Sequence, residues 1–372
     1  MRLVFVLNDA RYFRLHWLPR ALAAQAAGYD VHVLVPPAPE LEGCGVPLHP
    51  FTLQRKGLNP LRELHSLLQL RRLLATLAPD IVHTATVKPN LYGGGLCRLA
   101  GRPVVMNVTG LGTAFVSRSW PRRVLQRLVL AWYRWVAAPS NAWLVLENGD
   151  DERIFAAERV GDATRRTVLA GAGVDLAEFH ASEEPGAGAP LVVMPARLLW
   201  DKGAGEFAEA ARRLRAEGVC ARFALVGGED PDNRSAIPLR VVQEWVAEGI
   251  LEWWGFRGDM PDVLASAAVV CLPSYREGMP GVLLEAAAAG RPVVTTDVPG
   301  CRDAVVPGET GLMVPARDAD GLAAALRTLL ADPALRQRMG QAARRRAEAG
   351  FSRELVVSST LRIYRTLTGA RP

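Results

Sequence analysis

Cysteine is scarce and scattered in this 372-residue sequence: Cys44, Cys97, Cys220, Cys271 and Cys301 form no Cys-x-x-Cys pair and no Cys/His cluster at metal-ligand spacing. This argues against a disulfide framework and a structural zinc, and a reduced cytosol suits the chain. Long apolar runs are missing as well. The most apolar stretch, Val124 to Leu146, is interrupted by Arg127, Arg134 and Pro139, so no segment reads as a membrane-spanning helix. Leu3 to Leu7 is too short for a signal-peptide core and runs into Asn8 and Asp9; it reads as a first strand, with nothing cleaved or exported. No Gly-x-Gly-x-x-Gly follows the first strand of either half, which removes a dinucleotide dehydrogenase. Acidic residues are thin at the start: positions 1 to 140 hold 17 Lys and Arg against 6 Asp and Glu, an excess of 11. Such a basic half suits an anionic surface or ligand, lipid phosphate or nucleic acid. Nucleic acid has little support, because no recognition module is present and the aromatic residues form no obvious stacking platform.

What is present is a globular composition, 49% hydrophobic and 22% charged, with no internal repeat. Short β-branched runs alternate with helical patterns at Leu3–Leu7, Val31–Val35, Ile81–Val82, Val104–Asn107, Ala142–Leu146 and Val168–Ala170, which predicts parallel strands with crossover helices. Ser, Glu, Pro and Gly replace that pattern over Ala181–Pro190, read as a linker. The alternation then restarts at Leu191–Ala196, Phe223–Val226, Leu251–Trp254, Val269–Leu272, Val293–Thr296 and Gly311–Val314. The expected architecture is α/β, two doubly wound Rossmann-like domains facing a cleft: residues 1–182, residues 183–350, and a helix over 351–372 returning to the first domain.

The most informative segment runs from Pro273 through Ser274, Tyr275, Arg276, Glu277, Gly278, Met279, Pro280, Gly281 and Val282 to Glu285. It predicts strand, loop and helix. Pro280 and Gly281 suit a helix start, leaving the backbone N–H groups near Gly281 and Val282 free to hold a diphosphate. Glu285 lies about one turn inside and is expected to face the same pocket as Glu277. Upstream, Arg197 and Lys202 follow the first strand of the second half, where a departing phosphate needs neutralising charge. Gly227 ends the next strand, at the edge that open α/β sheets leave to ligands. Asp230-Pro231-Asp232 has the form of a metal-binding pair, but two carboxylates without further ligands read better as loop and cap residues; no metal and no cofactor are expected.

These segments resemble glycosyltransferase family 4, a large family of retaining enzymes with the GT-B fold. The resemblance includes Gly173-Val174-Asp175 with Phe179, Val298-Pro299-Gly300 and Gly308-Glu309-Thr310-Gly311-Leu312. A narrower likeness, to bacterial enzymes that extend polyprenyl-diphosphate-linked oligosaccharides, rests on His83-Thr84-Ala85-Thr86-Val87-Lys88-Pro89, Tyr92-Gly93, Thr109-Gly110-Leu111-Gly112 and Asp230-Pro231-Asp232-Asn233. The family implies that Arg197 and Lys202 hold the donor diphosphate, that Glu285 accepts from the ribose hydroxyls and that Glu277 contacts the transferred sugar, with Met279, Pro280, Gly281, Val282 and Gly227 around the nucleotide. No protein nucleophile is implied, so stabilising the departing diphosphate dominates. A metal-independent enzyme follows, using a nucleotide-sugar donor, with a UDP-sugar favoured and GDP-mannose left open. The implied acceptor is a polyprenyl-diphosphate-linked glycan at the inner face of the cytoplasmic membrane. Two departures stand out. Thr109 occupies the neighbourhood where many relatives carry a catalytic histidine, and the loop Asn8 to Arg14 lacks the family's paired glycines. Tyr12, His16, His83, Lys88 and Thr109 are the candidate acceptor contacts, although a lone histidine is more often a satisfied structural residue.

Between Trp120 and Val136, Arg122, Arg123, Arg127 and Arg134 interleave with Trp132, Tyr133, Trp135 and leucines. That composition fits an interfacial membrane helix and equally a crossover helix packed on its sheet. A nucleotide-sugar epimerase on the same architecture, and a non-enzymatic binding protein for anionic lipid or nucleic acid, are the rival readings.

Overall fold

The computed structural model describes residues 1–53, 59–111, 120–184, 186 and 188–369, the side chains of Pro121 and Arg122 apart. Gly112 of the Thr109–Gly112 motif lies outside these residues. The chain divides into two compact units, Met1–Ala172 with Val356–Pro372, and Gly173–Leu355.

The first unit runs β1 (Arg2–Val6), α1 (Ala10–Tyr12), a π turn (Phe13–Trp17), α2 (Leu18–Ala26), β2 (Asp30–Val35), β3 (Leu48–Pro50), α3 (Pro60–Leu77), β4 (Ile81–Ala85), α4 (Val87–Ala100), β5 (Val104–Val108), α5 (Trp120–Val136), β6 (Ala142–Leu146), α6 (Gly149–Ala157) and β7 (Arg166–Val168). Its seven strands are all parallel, in the order β3-β2-β1-β4-β5-β6-β7. Both faces are covered, as parallel sheets require. Alternate residues of β1 go to opposite sides: Val4 and Val6 join Leu70, Leu130 and Tyr133, whereas Leu3 and Phe5 join Trp17, Ala21 and Tyr364.

The second unit holds β8 (Leu191–Pro195), α7 (Ala204–Ala216), β9 (Arg222–Val226), α8 (Leu239–Ala247), β10 (Glu252–Trp253), α9 (Met260–Ala265), β11 (Val269–Leu272), α10 (Gly281–Ala288), β12 (Val293–Thr296), α11 (Cys301–Ala304), β13 (Gly311–Val314), α12 (Ala319–Ala331) and α13 (Pro333–Gly350). Its strands are again all parallel, ordered β10-β9-β8-β11-β12-β13. The order reverses direction between β8 and β11. Loops leaving those two strands part there and open a crevice at their carboxyl ends.

The last helix, α14 (Arg353–Thr368), begins in the second unit and from Val356 onward belongs to the first. Val356, Ile363 and Tyr364 recur at helical spacing and are all buried. Each contributes roughly 1.5–3 kcal/mol through burial. The units divide at Ala172, upstream of the Ala181–Pro190 break. That break is held within the second unit by Arg336, whose guanidinium grips Glu184 through two hydrogen bonds of 2.8 and 2.6 Å, and by Arg291, which donates to Ser182 at 2.7 Å.

Candidate active site

In the second unit, β8 and β11 deliver the key residues to the two sides of the crevice. After β8 the chain turns through Arg197 to Lys202 and starts α7 at Gly203. A Cβ on Gly203 would stand 2.1 Å from the carbonyl oxygen of Pro273, at a φ of +78°. The loop carrying Lys202 is therefore pressed against the loop that follows β11. Gly203→Ala is expected to cost about 3 kcal/mol or more, since it adds a backbone clash to an unfavourable φ. Urea denaturation checks this, and an unchanged midpoint would refute the close approach.

The pressed loops bring two predicted residues together. Lys202 Nζ lies 2.5 Å from Glu277 Oε1, which also accepts from Ser274 Oγ at 2.6 Å. Ser274 is fully buried, and its carbonyl accepts from Thr296 Oγ1, so the support beneath Glu277 is fixed by β12. Arg197, more exposed, pairs with Asp230, which Asn233 Nδ2 also bonds at 3.2 Å. Asp230 thus orients an arginine. Gly227 sits beside them, its backbone so close that a Cβ would meet the Ala196 carbonyl oxygen at 1.9 Å.

Opposite them α10 begins with Pro280 as its cap residue, and no side chain caps it. The N–H groups of Gly281 and Val282 are left to the crevice, with the positive end of the helix dipole behind them. Glu285 lies on the same face as Gly281: a Cβ at Gly281 would be 3.7 Å from Glu285 Oε1. Among the described residues the Glu285 carboxylate has no hydrogen-bond partner. Burial pushes its pKa up to about 7, repulsion from Glu178 adds to the rise, and Arg353 opposes it. A half-buried, unsatisfied carboxylate beside free backbone donors can receive a hydroxylated, anionic ligand.

The first unit places its candidates differently. Asp9 Oδ1 caps α1 by accepting from Tyr12 N at 2.8 Å, and Tyr12 and His16 lie with ring centroids 4.9 Å apart on adjoining turns. Burial, and then the charge of Arg20, lower the His16 pKa to about 4, so its imidazole is neutral at physiological pH. Lys88, in the first turn of α4, pairs with Glu63 at 2.7 Å, and Thr109 follows β5 directly. His83 corrects an expectation. It is 1% exposed inside β4, stacked on Phe5 at 5.4 Å and edge-on to Trp17 at 4.9 Å, with Nδ1 2.6 Å from the Tyr364 hydroxyl. An acceptor could reach it only by opening the core, so its task is to anchor α14.

Sequence reasoning missed Glu147, which directly follows β6. It is buried, accepts from Asn107 Nδ2 at 3.0 Å, and has a pKa pushed up to about 7 by burial, against the pull of nearby Arg20. Glu147-Asn148-Gly149-Asp150-Asp151 reads as ordinary acidic capping of a helix start. The available signal was its place just past the carboxyl end of a parallel strand, the edge at which open α/β sheets bind ligands.

Two all-parallel, doubly wound sheets in one chain define the GT-B class. The chain belongs to the group 1 glycosyltransferase family and is a glycosyltransferase. Residues 189–332 match the model for glycosyl transferases group 1, and residues 2–135 match glycosyl transferase 4-like. It is 31% identical over 290 residues to glycogen synthase of Mycobacterium tuberculosis, covering 77% of this chain and 68% of that one. It is 27% identical over 380 residues, 98% of each chain, to the N,N'-diacetylbacillosaminyl-diphospho-undecaprenol alpha-1,3-N-acetylgalactosaminyltransferase of Campylobacter jejuni. A third relative is the UDP-Gal:alpha-D-GlcNAc-diphosphoundecaprenol alpha-1,3-galactosyltransferase of Escherichia coli, 28% identical over 73% of this chain and 71% of that one. Among solved structures, sucrose-phosphate synthase from Thermosynechococcus elongatus superposes with a TM-score of 0.81 at 21% identity over 100% of both chains. The comparisons lend no support to the epimerase or the non-enzymatic readings. Among the described residues, no helix is long and apolar enough to cross a membrane.

Proposed function

We propose that this glycosyltransferase moves a sugar from a UDP-sugar to a polyprenyl-diphosphate-linked saccharide at the cytoplasmic face of a membrane, with retention at the anomeric carbon. What supports this reading is the switch point between β8 and β11: Arg197 and Lys202 follow one strand, the α10 start that no side chain caps follows the other, and Glu285 in α10 has no hydrogen-bond partner among the described residues. The names of the Campylobacter jejuni and Escherichia coli relatives support the lipid-diphosphate acceptor, and the latter supports UDP.

In this reading the acceptor hydroxyl oxygen bonds to the anomeric carbon on the face that UDP leaves. The bond from that carbon to the diphosphate oxygen breaks, the electron pair stays on the diphosphate, and the hydroxyl proton passes to it. Arg197, Lys202 and the α10 dipole meet the negative charge as it develops. Glu277, fixed through Lys202 and Ser274, orients the transferred sugar, while Glu285 receives the ribose hydroxyls. Tyr12, His16, Lys88 and Thr109 serve the acceptor side.

Incubating the protein with UDP-sugars and polyprenyl-diphosphate-N-acetylhexosamine, then reading the product by mass spectrometry and its anomeric proton by NMR, tests this. An α-linked product from an α-linked donor is expected. A β-linked product would overturn retention, and failure with every lipid-diphosphate acceptor would overturn the acceptor class.

A further inference from the structure

Three neighbouring helices of the first unit form an apolar groove of about 370 Å³, lined chiefly by Leu67 of α3, Leu91, Leu96 and Leu99 of α4, and Leu128 and Trp132 of α5. That volume lies within the range of small-molecule pockets, roughly 300–1,000 Å³. The groove is built into the fold. Gly95 sits in mid-helix, where glycine is a poor helix former, and a Cβ there would stand 2.7 Å from Trp132 Cζ2. The glycine therefore admits the indole, whose Nε1 donates to the Leu91 carbonyl at 3.0 Å, leaving the ring as a fixed wall. Tyr92 also lines the groove, but its hydroxyl is bound to Glu63. What remains on offer is hydrocarbon.

The surroundings narrow the occupant. Leu64 and Leu68 on α3, Leu99 on α4, and Leu125, Trp132 and Trp135 on α5 are exposed, more apolar surface than a water-facing crossover layer needs. The same helices carry three cations in α3, two in α4 and four in α5, against Glu63 as their single acid. Arg71, Arg123 and Arg127 have no ion-pair partner among the described residues. A partner helix of ordinary composition would not account for so one-sided a charge. A hydrocarbon chain carrying an anionic head matches both features.

We propose that the groove seats the isoprenoid chain of the lipid-linked acceptor, an inference that rests on the acceptor class given above. The direction follows from the fold. Helix α4 starts at the carboxyl end of β4, beside β1 where the strand order of this unit reverses, and Lys88 stands in its first turn. The groove lies along its later turns, from Leu91 to Leu99, about 12 Å of helix. A chain in the groove therefore has its diphosphate end toward Lys88 and the ligand-binding edge of the sheet, and its tail toward the exposed end of α4.

The test titrates the full chain with geranyl, farnesyl and geranylgeranyl diphosphate, below the critical micelle concentration and with saturating UDP to occupy the donor crevice, following tryptophan fluorescence. Kd is expected to fall by about tenfold from geranyl to farnesyl, consistent with partial burial of an added apolar unit, and then to level off as the groove fills. Leu96→Trp, which fills the groove, should flatten that dependence to within about twofold. Leu128→Gln, at a position 63% exposed where folding is not at stake, should weaken farnesyl diphosphate severalfold while leaving UDP binding unchanged. A Kd independent of chain length, or a dependence that both variants keep, would overturn the proposal. Sugar transfer to a lipid-diphosphate acceptor is measured in parallel: a parent that transfers while its groove variants bind every chain normally refutes the groove alone, and a parent that never transfers refutes the acceptor class.

Discussion

Replacing Lys202 by Ala is expected to lower kcat/KM by about a thousandfold while the protein stays folded. The ammonium, in the turn that follows β8 with its side chain 22% exposed, is the charge proposed to meet the departing diphosphate, and one preorganised charge on a developing oxyanion contributes about 3–4 kcal/mol to the barrier. The ground-state ligand already carries a diphosphate, so part of the loss will show in donor affinity and the larger part in kcat. Lys202→Ala also leaves Glu277 without its cation, with a side chain only 11% exposed. The doubly substituted Lys202→Ala, Glu277→Gln protein separates these effects. It should recover the stability lost in the single variant and none of the activity. Steady-state kinetics together with a urea midpoint decide the matter: less than a tenfold fall in kcat/KM would place the charge outside the transition state.

The second large effect is expected from Glu285→Gln, and it has opposite signs for stability and for binding. In the free protein the carboxyl of Glu285 has a pKa raised to about 7 from 4.5. A raised carboxyl pKa means that folding disfavours the charged form, so its destabilising contribution grows as pH rises from 4.5 through 7 and is complete above that window. Glutamine removes the charge. A gain of about 2 kcal/mol at pH 8, some 4–8 °C in Tm, and almost none at pH 4 is expected. Nucleotide binding should move the other way, because the ionised carboxylate is the better acceptor for ribose hydroxyls. Affinity of the parent for UDP should rise about tenfold from pH 6 to pH 8, following the ionised fraction across a pKa near 7. In Glu285→Gln the affinity should be weaker at pH 8 by about ten- to a hundredfold and flat with pH. A parent whose UDP affinity is flat across that range would refute the role given to this residue.

The strands carrying this chemistry were readable because each is a run of β-branched or large apolar residues with both faces buried. Val269–Leu272, Val293–Thr296 and Gly311–Val314 have the bounds read from the sequence. β3 was not read. Leu48-His49-Pro50 is three residues long with no apolar alternation, and it survives as an edge strand on β2, where a proline is tolerated. The loop-to-helix turn around Pro280 was legible from local chemistry, since a Pro-Gly start leaves unpaired N–H groups whatever the tertiary setting. Pairings across many residues were not. That Lys202 meets Glu277 and Arg197 meets Asp230 depends on how tightly Gly203 and Gly227 let neighbouring loops approach, which spacing does not encode. His83 misled for a related reason: a histidine in a buried strand and one at a ligand edge look alike until the partner is known, and here it comes from Tyr364, far along the chain. Glu147 escaped notice because acidic residues before a helix are ordinary.

Calorimetric titration of the purified protein with UDP, GDP and ADP in the presence of EDTA tests the donor site most directly. Selective binding of UDP without metal, abolished or strongly weakened in Lys202→Ala, is the predicted result. Binding of GDP alone would contradict the UDP assignment, and binding of none of the three, or equal binding by parent and variant, would contradict the placement of the donor diphosphate between β8 and β11.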